Sequence, residues 1–152
     1  MGTGEARYFD DFKPGDRFES ALLVVTEALI LEFARFYDPQ PFHTDPVAAA
    51  ASMYGGLIAS GLQTLALTFK LFFETGTINA CSLGSTGLDE IRWKRPVRPG
   101  DVLRVVAEVL ETRPSTSRPD RGIVRMQFTT VNARDETVMT LIGNQLLGRR
   151  PA

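Results

Sequence analysis

SGLQTLALTFKLFFE, residues 60–74, decides the fold. Leu62, Leu65, Ala66, Leu67, Phe69, Leu71, Phe72 and Phe73 leave almost no polar face, and Lys70 is the only charge before Glu74. A helix apolar nearly all round has no side to offer to water, so it predicts a buried helix. At 1.5 Å per residue its length is about 22 Å, roughly the thickness of a small domain.

C-terminal to this helix the period changes from 3.6 to 2. Ile91, Trp93 and Arg95 alternate with Arg92 and Lys94, and residues 101–111 are rich in valine. Val124, Met126, Phe128 and Thr130 alternate cleanly with Arg125, Gln127 and Thr129, the mark of a half-buried strand. Residues 138–147 are apolar on both sides, as in a central strand or one beneath a subunit interface. A loop over 112–122, with Pro114, Pro119, Asp120 and Gly122, joins two of these strands as a hairpin. At about 3.3 Å per residue, strands of this length are long enough to curl around the helix.

N-terminal to the helix, residues 8–16 end in a Pro-Gly-Asp turn, and Arg17 to Val25 reads as a strand. Thr26 is a candidate N-cap, with Glu27 in the first turn of a helix burying Ile30, Phe33, Ala34 and Tyr37. That helix ends by Asp38, because Pro39 disfavours helical geometry in the residue before it. Asp45-Pro46 opens a short helix through Met53, and Tyr54-Gly55-Gly56 breaks it. The whole is one α+β domain, residues 1–152, with a long antiparallel sheet wrapped around one buried helix. A sheet covering one helix leaves edges and an apolar patch, for which pairing with a second copy is the common remedy.

With 17 basic and 18 acidic residues the net charge is -1, which leaves no electrostatic footprint for nucleic acid or an anionic membrane. No stretch approaches the roughly 20 apolar residues that span a bilayer, and residues 1–16 lack the apolar core of a signal peptide. Cys81 is the only cysteine and cannot close an internal disulfide. These features place the protein in the cytoplasm. With no second histidine to activate it, Cys81 is a poor nucleophile.

Acid–base chemistry clusters in one segment, YDPQPFHTDP at residues 37–46, which holds His43, the only histidine. In a continuous helix Asp38 and His43 would diverge by about 140°. Pro39 and Pro41 argue for a rigid non-helical turn that aims carboxylate and imidazole at one pocket. Histidine is the side chain suited to exchanging protons near neutral pH. Read on residues alone, Asp38 as a helix end and His43 as a packing residue remains an open alternative.

The order of elements and three motifs resemble the MaoC-like dehydratases, relatives of the (R)-specific enoyl-CoA hydratases with a hotdog fold. Asp38-Pro39-Gln40-Pro41-Phe42-His43 resembles the family's Asp-x-Asn-Pro-x-His block, Gly56-Leu57-Ile58-Ala59-Ser60-Gly61 its Gly-x-x-Ala-His-Gly block, and DEIRWKRPVRPGD (89–101) its strand before a Pro-Gly-Asp turn. The resemblance covers essentially the whole chain. It implies a hotdog domain with Asp38 and His43 as the catalytic pair adding water across the C2–C3 bond of an acyl-CoA thioester, or removing it. It implies no metal and no cofactor, since CoA is part of the substrate, and a homodimer or higher homo-oligomer.

Gln40 and Ser60 depart from the pattern, standing where the family has Asn and commonly His. The extra methylene of Gln40 is expected to weaken the hydrogen bond that orients the pair. Gly61, Gln40 and Ser60 are expected at the oxyanion or substrate, with the Gly61 N–H at the helix start as the donor; tight packing is the alternative reason for Gly61. Arg92, Lys94, Arg95 and Arg98 form a basic run that could meet CoA phosphates or simply be a solvated strand face. Phe36, Phe42 and Tyr54 are expected in the pocket wall. Two rival readings are a hotdog thioesterase, disfavoured because the buried helix carries no acid before Glu74, and a non-catalytic acyl-CoA-binding protein.

Overall fold

In the computed structural model, which describes residues 4–152, a 3-10 turn at Phe9–Asp11 precedes two short strands, β1 (Arg17–Glu19) and β2 (Leu23–Val24). One continuous strand was expected here. Both pieces pair with the same later strand, but the register slips by one residue between Glu19↔Val106 and Leu23↔Leu103. Ser20 stands at the slip: its N–H donates to the Val105 carbonyl, and its hydroxyl accepts from the Val105 N–H at 2.8 Å. A side-chain oxygen thus substitutes for a backbone carbonyl, and the edge bends as at a β-bulge.

Helix α1 (Glu27–Tyr37) starts where expected, with Thr26 Oγ1 accepting from the Leu29 N–H. Ile30 and Ala34 are buried, but Tyr37 is not, because α1 lies at the rim of the domain. Two short helices follow, α2 (Pro41–Thr44) and α3 (Pro46–Ala50). Asp45 caps α3, its Oδ1 accepting from Val47 and Ala48, and α3 stops short of the expected Met53. Helix α4 (Gly61–Glu74) is the long apolar segment, and β3 (Ser82–Trp93), β4 (Val102–Pro114), β5 (Arg121–Val131) and β6 (Thr137–Gly148) complete the chain. The β4–β5 loop is shorter than expected because both strands run further into it.

The sheet is antiparallel in the order β1-β4-β5-β6-β3, with β2 also on β4. Strand β6 is central, which accounts for its apolar residues on both faces: Met139, Leu141 and Leu147 are buried inside, while Ile142 and Leu146 are half-buried outside. The inner face wraps α4 in the hotdog arrangement. Phe72 of α4 meets Phe128 of β5 edge to face, with ring centres 4.9 Å apart.

The burial of α4 corrects the sequence expectation in one respect. Leu62 and Phe73 are 49% and 42% exposed, whereas Gln63, Thr64 and Thr68 are buried with Leu71 and Phe72. The sheet covers one side of α4 and α1 another, where the Gln63 amide donates to the Leu29 carbonyl at 2.9 Å. The third side is open. Buried polar groups need partners, and Thr68 finds two: its hydroxyl lies 2.8 Å from the Thr64 carbonyl and 2.6 Å from the Thr130 hydroxyl.

Two Pro-Gly-Asp turns are built alike. Gly15 and Gly100 have φ of +92° and +90°, the conformation that the third position of a type II turn requires. Asp16 accepts from the Lys13 N–H, and Asp101 from the Arg98 N–H. The second turn also pins Gly100 N–H to the Val25 carbonyl, which brings residues 94–98 against the approach to α4.

Candidate active site

Asp38 is the C-cap of α1 and His43 sits in α2, so the pair occupies the ends of two helices rather than one non-helical turn. The sequence expectation is corrected here. Pro41 is the first residue of α2, where its missing N–H costs nothing and its fixed φ suits a helix. Pro39 separates the two helices, and the divergence of a continuous helix never arises. Both side chains turn inward to meet: His43 Nε2 lies 3.4 Å from Asp38 Oδ2, with side chains 6% and 17% exposed.

The extended segment 58–60 positions both. Ile58 bonds through its N–H to the Phe42 carbonyl, and Ala59 N–H to the Val97 carbonyl. The Ile58 carbonyl lies 2.8 Å from His43 Nδ1. A carbonyl only accepts, so the hydrogen is on Nδ1, and Nε2 of the neutral ring presents a lone pair toward Asp38. Ser60 is the N-cap of α4: its hydroxyl accepts from the Leu62 N–H and donates to Asp38 Oδ2 at 2.7 Å. The Gln40 amide donates to Asp38 Oδ1, also at 2.7 Å. The longer side chain of Gln40 therefore reaches the carboxylate in full, contrary to the weakening expected of it. Gln40 and Ser60 hold Asp38 rather than standing free for an oxyanion.

Desolvation pushes the Asp38 carboxyl up, but the hydrogen bonds from Ser60 and Gln40, with His43 nearby, outweigh it and leave the group below its ordinary value of 3.8. Donors that bond the charged form favour that form. Asp38 is a carboxylate at neutral pH.

A cavity of about 530 Å³ opens on the pair. Phe42, Tyr54, Ile58 and Val97 give it apolar walls, and Gly61, Leu62 and Thr64 from the first turn of α4 form one side. Phe42 packs on both His43 and Tyr54, with ring centres 4.5 and 5.3 Å apart. Phe36, expected in the wall, is 79% exposed and lines nothing here, because it lies on the outer face of α1.

Trp93 caps the cavity in a way the sequence reading missed. Its indole N–H donates to the Gly61 carbonyl at 2.9 Å, and a Cβ on Gly61 would stand 2.7 Å from the ring. Close packing therefore requires glycine at position 61. The Gly61 N–H, first in α4, finds no acceptor among the described residues. Trp93 is the only tryptophan, and that rarity beside a basic run was the one available signal.

Lys94 and Arg95 line the mouth, while Arg92 and Arg98 do not. Arg98 donates to the Tyr54 carbonyl at 2.7 Å and so braces the 52–56 loop, and Arg92 reaches the Ile91 carbonyl. Arg95 pairs with Glu136 at 3.2 Å. Cys81 is buried away from the site, its thiol pushed up to about 11 by burial and then by Asp11. Among the described residues no group of His, Cys, Asp or Glu is arranged to hold a metal ion.

The family model of the MaoC like domain matches residues 11–132. The chain belongs to this family. Among MaoC-like proteins of known structure, the dehydratase from Rhodospirillum rubrum superposes with a TM-score of 0.90 at 42% identity, covering 97% of this chain and 100% of that one. The uncharacterized protein YdeM of Bacillus subtilis is 35% identical over 129 residues, 85% of this chain and 90% of its own length. The 3-hydroxyacyl-thioester dehydratase Z of Mycobacterium tuberculosis is 35% identical over 74 residues, 48% of this chain and 49% of its own.

Proposed function

We propose that this MaoC-like protein adds water to, or removes it from, the C2–C3 bond of an acyl-CoA thioester, with Asp38 and His43 as the catalytic pair. The observation that carries the reading is the 3.4 Å gap between Asp38 Oδ2 and His43 Nε2 at the wall of the cavity. Both atoms are acceptors, and two acceptors at that spacing can share one water at ordinary bond lengths of about 2.8 Å. Such a water gives a hydrogen to each and turns its lone pairs toward the cavity.

In hydration the water oxygen bonds to C3 as His43 Nε2 takes its proton, and the π electrons of C2–C3 move into the thioester as an enolate. The proton returns at C2 through the pair, so one water is added and the site ends as it began. The unpartnered Gly61 N–H, at the positive end of α4, is the donor for the enolate oxygen. Dehydration is the reverse.

Lys94 and Arg95 at the mouth suit the phosphates of CoA. Glu74, the acid that a thioesterase reading would need, is paired with Lys70 at the far end of α4 and lies outside the cavity. The unpaired edge of β3, with Leu83, Leu88 and Trp93 exposed, supports association of two copies into a homodimer. No helix among the described residues is long and apolar enough to cross a membrane.

The test follows loss of enoyl absorbance with crotonyl-CoA and longer enoyl-CoAs. Asp38→Asn and His43→Ala are each expected to lower turnover by about 10²–10⁴-fold. A loss below tenfold in either would remove that residue from the chemistry, and thiol release without loss of the double bond would favour a thioesterase.

A further inference from the structure

The depth of the cavity is set by one residue the reaction does not use. Only Gly61, Leu62 and Thr64 of α4 reach the cavity. One turn further on, Thr68 is fully buried and closed off by its bonds to the Thr64 carbonyl and the Thr130 hydroxyl, and Phe72 against Phe128 fills the space beyond. No path along the helix remains for a chain passing Thr64.

Thr64 itself is 3% exposed and lines the cavity, yet its hydroxyl meets no donor or acceptor among the described residues. A threonine in a helix commonly turns its hydroxyl back to the carbonyl four residues earlier. Here Ser60, four residues earlier, gives that carbonyl to the Thr64 N–H alone. The hydroxyl oxygen is not among the polar side-chain atoms sealed off without a partner, so it opens on the cavity, where a bound ligand can pair with it. Thr64 is also one helical turn, about 5.4 Å, past Ser60, which holds Asp38. It therefore faces substrate atoms a few carbon–carbon bonds beyond the reacting centre.

We infer that Thr64 is a specificity-determining residue, and that the acyl group is short and carries an oxygen beyond C3, a hydroxyl or carbonyl, that hydrogen-bonds to Thr64. This rests on the hydratase reading above and names its substrate class. A long hydrocarbon tail has no room past Thr64, and a short purely apolar one leaves the hydroxyl unpaired. A site built to bond a substrate oxygen discriminates against the analogue that lacks it.

The experiment compares kcat/KM for 4-hydroxy-2-butenoyl-CoA, crotonyl-CoA and 2-octenoyl-CoA in the wild type, Thr64→Val, Thr64→Ser and Asp38→Asn. The hydroxylated substrate is expected to exceed octenoyl-CoA by more than tenfold. Thr64→Val is expected to cut the preference for the hydroxylated substrate over crotonyl-CoA about tenfold, the scale of one hydrogen bond, and Thr64→Ser to retain it. Octenoyl-CoA turned over within tenfold of the hydroxylated substrate, or a preference unchanged in Thr64→Val, overturns the inference. If Thr64→Val does not fold, the wild-type panel and Thr64→Ser still decide. Asp38-dependent turnover with the wrong preference sinks this inference alone; no turnover of any enoyl thioester sinks the hydratase reading and this inference with it.

Discussion

The Ser60 hydroxyl lies 2.7 Å from Asp38 Oδ2 while accepting from the Leu62 N–H, so one side chain both starts α4 and holds the Asp38 carboxylate. Removing it in Ser60→Ala costs about 1 kcal/mol of stability for the lost cap. It also removes a donor that favours the charged carboxyl, so the Asp38 pKa rises. The acid limb of the pH–rate profile is expected to move to higher pH in Ser60→Ala and to stay in place in Ser60→Thr. An unmoved limb in Ser60→Ala would show that the bond does not tune the carboxylate.

Asp38 also links stability to pH. Its folded pKa lies below its ordinary value of 3.8, so the folded state binds fewer protons there than the unfolded chain. The contribution is fully present above the ordinary carboxylate range and is lost as pH falls through the folded value. Thermal melts of wild type and Asp38→Asn are expected to converge as pH drops below about 4. Parallel curves would refute the linkage.

Gly61 and Trp93 are coupled. Gly61→Ala places a methyl against the indole and is expected to destabilise by about 1–3 kcal/mol. Combining it with Trp93→Leu should return part of that loss, which a double-mutant cycle in urea would measure. Additive effects would mean the ring moves freely. Because Trp93 is the sole tryptophan, its fluorescence is expected to change on titration with an acyl-CoA if the proposed substrate enters the cavity.

Thr68 and Thr130 share a buried hydroxyl pair at 2.6 Å. Thr68→Val strands the Thr130 hydroxyl and is expected to cost about 1–3 kcal/mol, most of it recovered in the double valine variant. Urea denaturation checks this; a double variant no more stable than Thr68→Val would contradict it.

Much of this molecule was legible in order. The run 60–74 announced α4 because an all-round apolar helix cannot stay in water, the period of two announced β5 and the end of β3, and the Val-rich and doubly apolar runs announced β4 and β6. The motif resemblance singled out Asp38 and His43, and their convergence was anticipated. The route to it was not: Pro41 starts α2 instead of forbidding it, since proline at a first helical position sacrifices no hydrogen bond.

The sequence by itself determined most of the elements and the pair of titrating groups, because hydrophobic period, caps and turn residues act over a few neighbouring positions. Only the tertiary structure decided what surrounds them. Trp93 lies on Gly61 across 32 positions, and Ser60 reaches Asp38 across 22. The same packing buries Thr64 and Thr68 while leaving Leu62 and Phe73 at the surface. Which face of α4 the sheet covers depends on how strands far apart in the chain pair, and no local pattern carries that information.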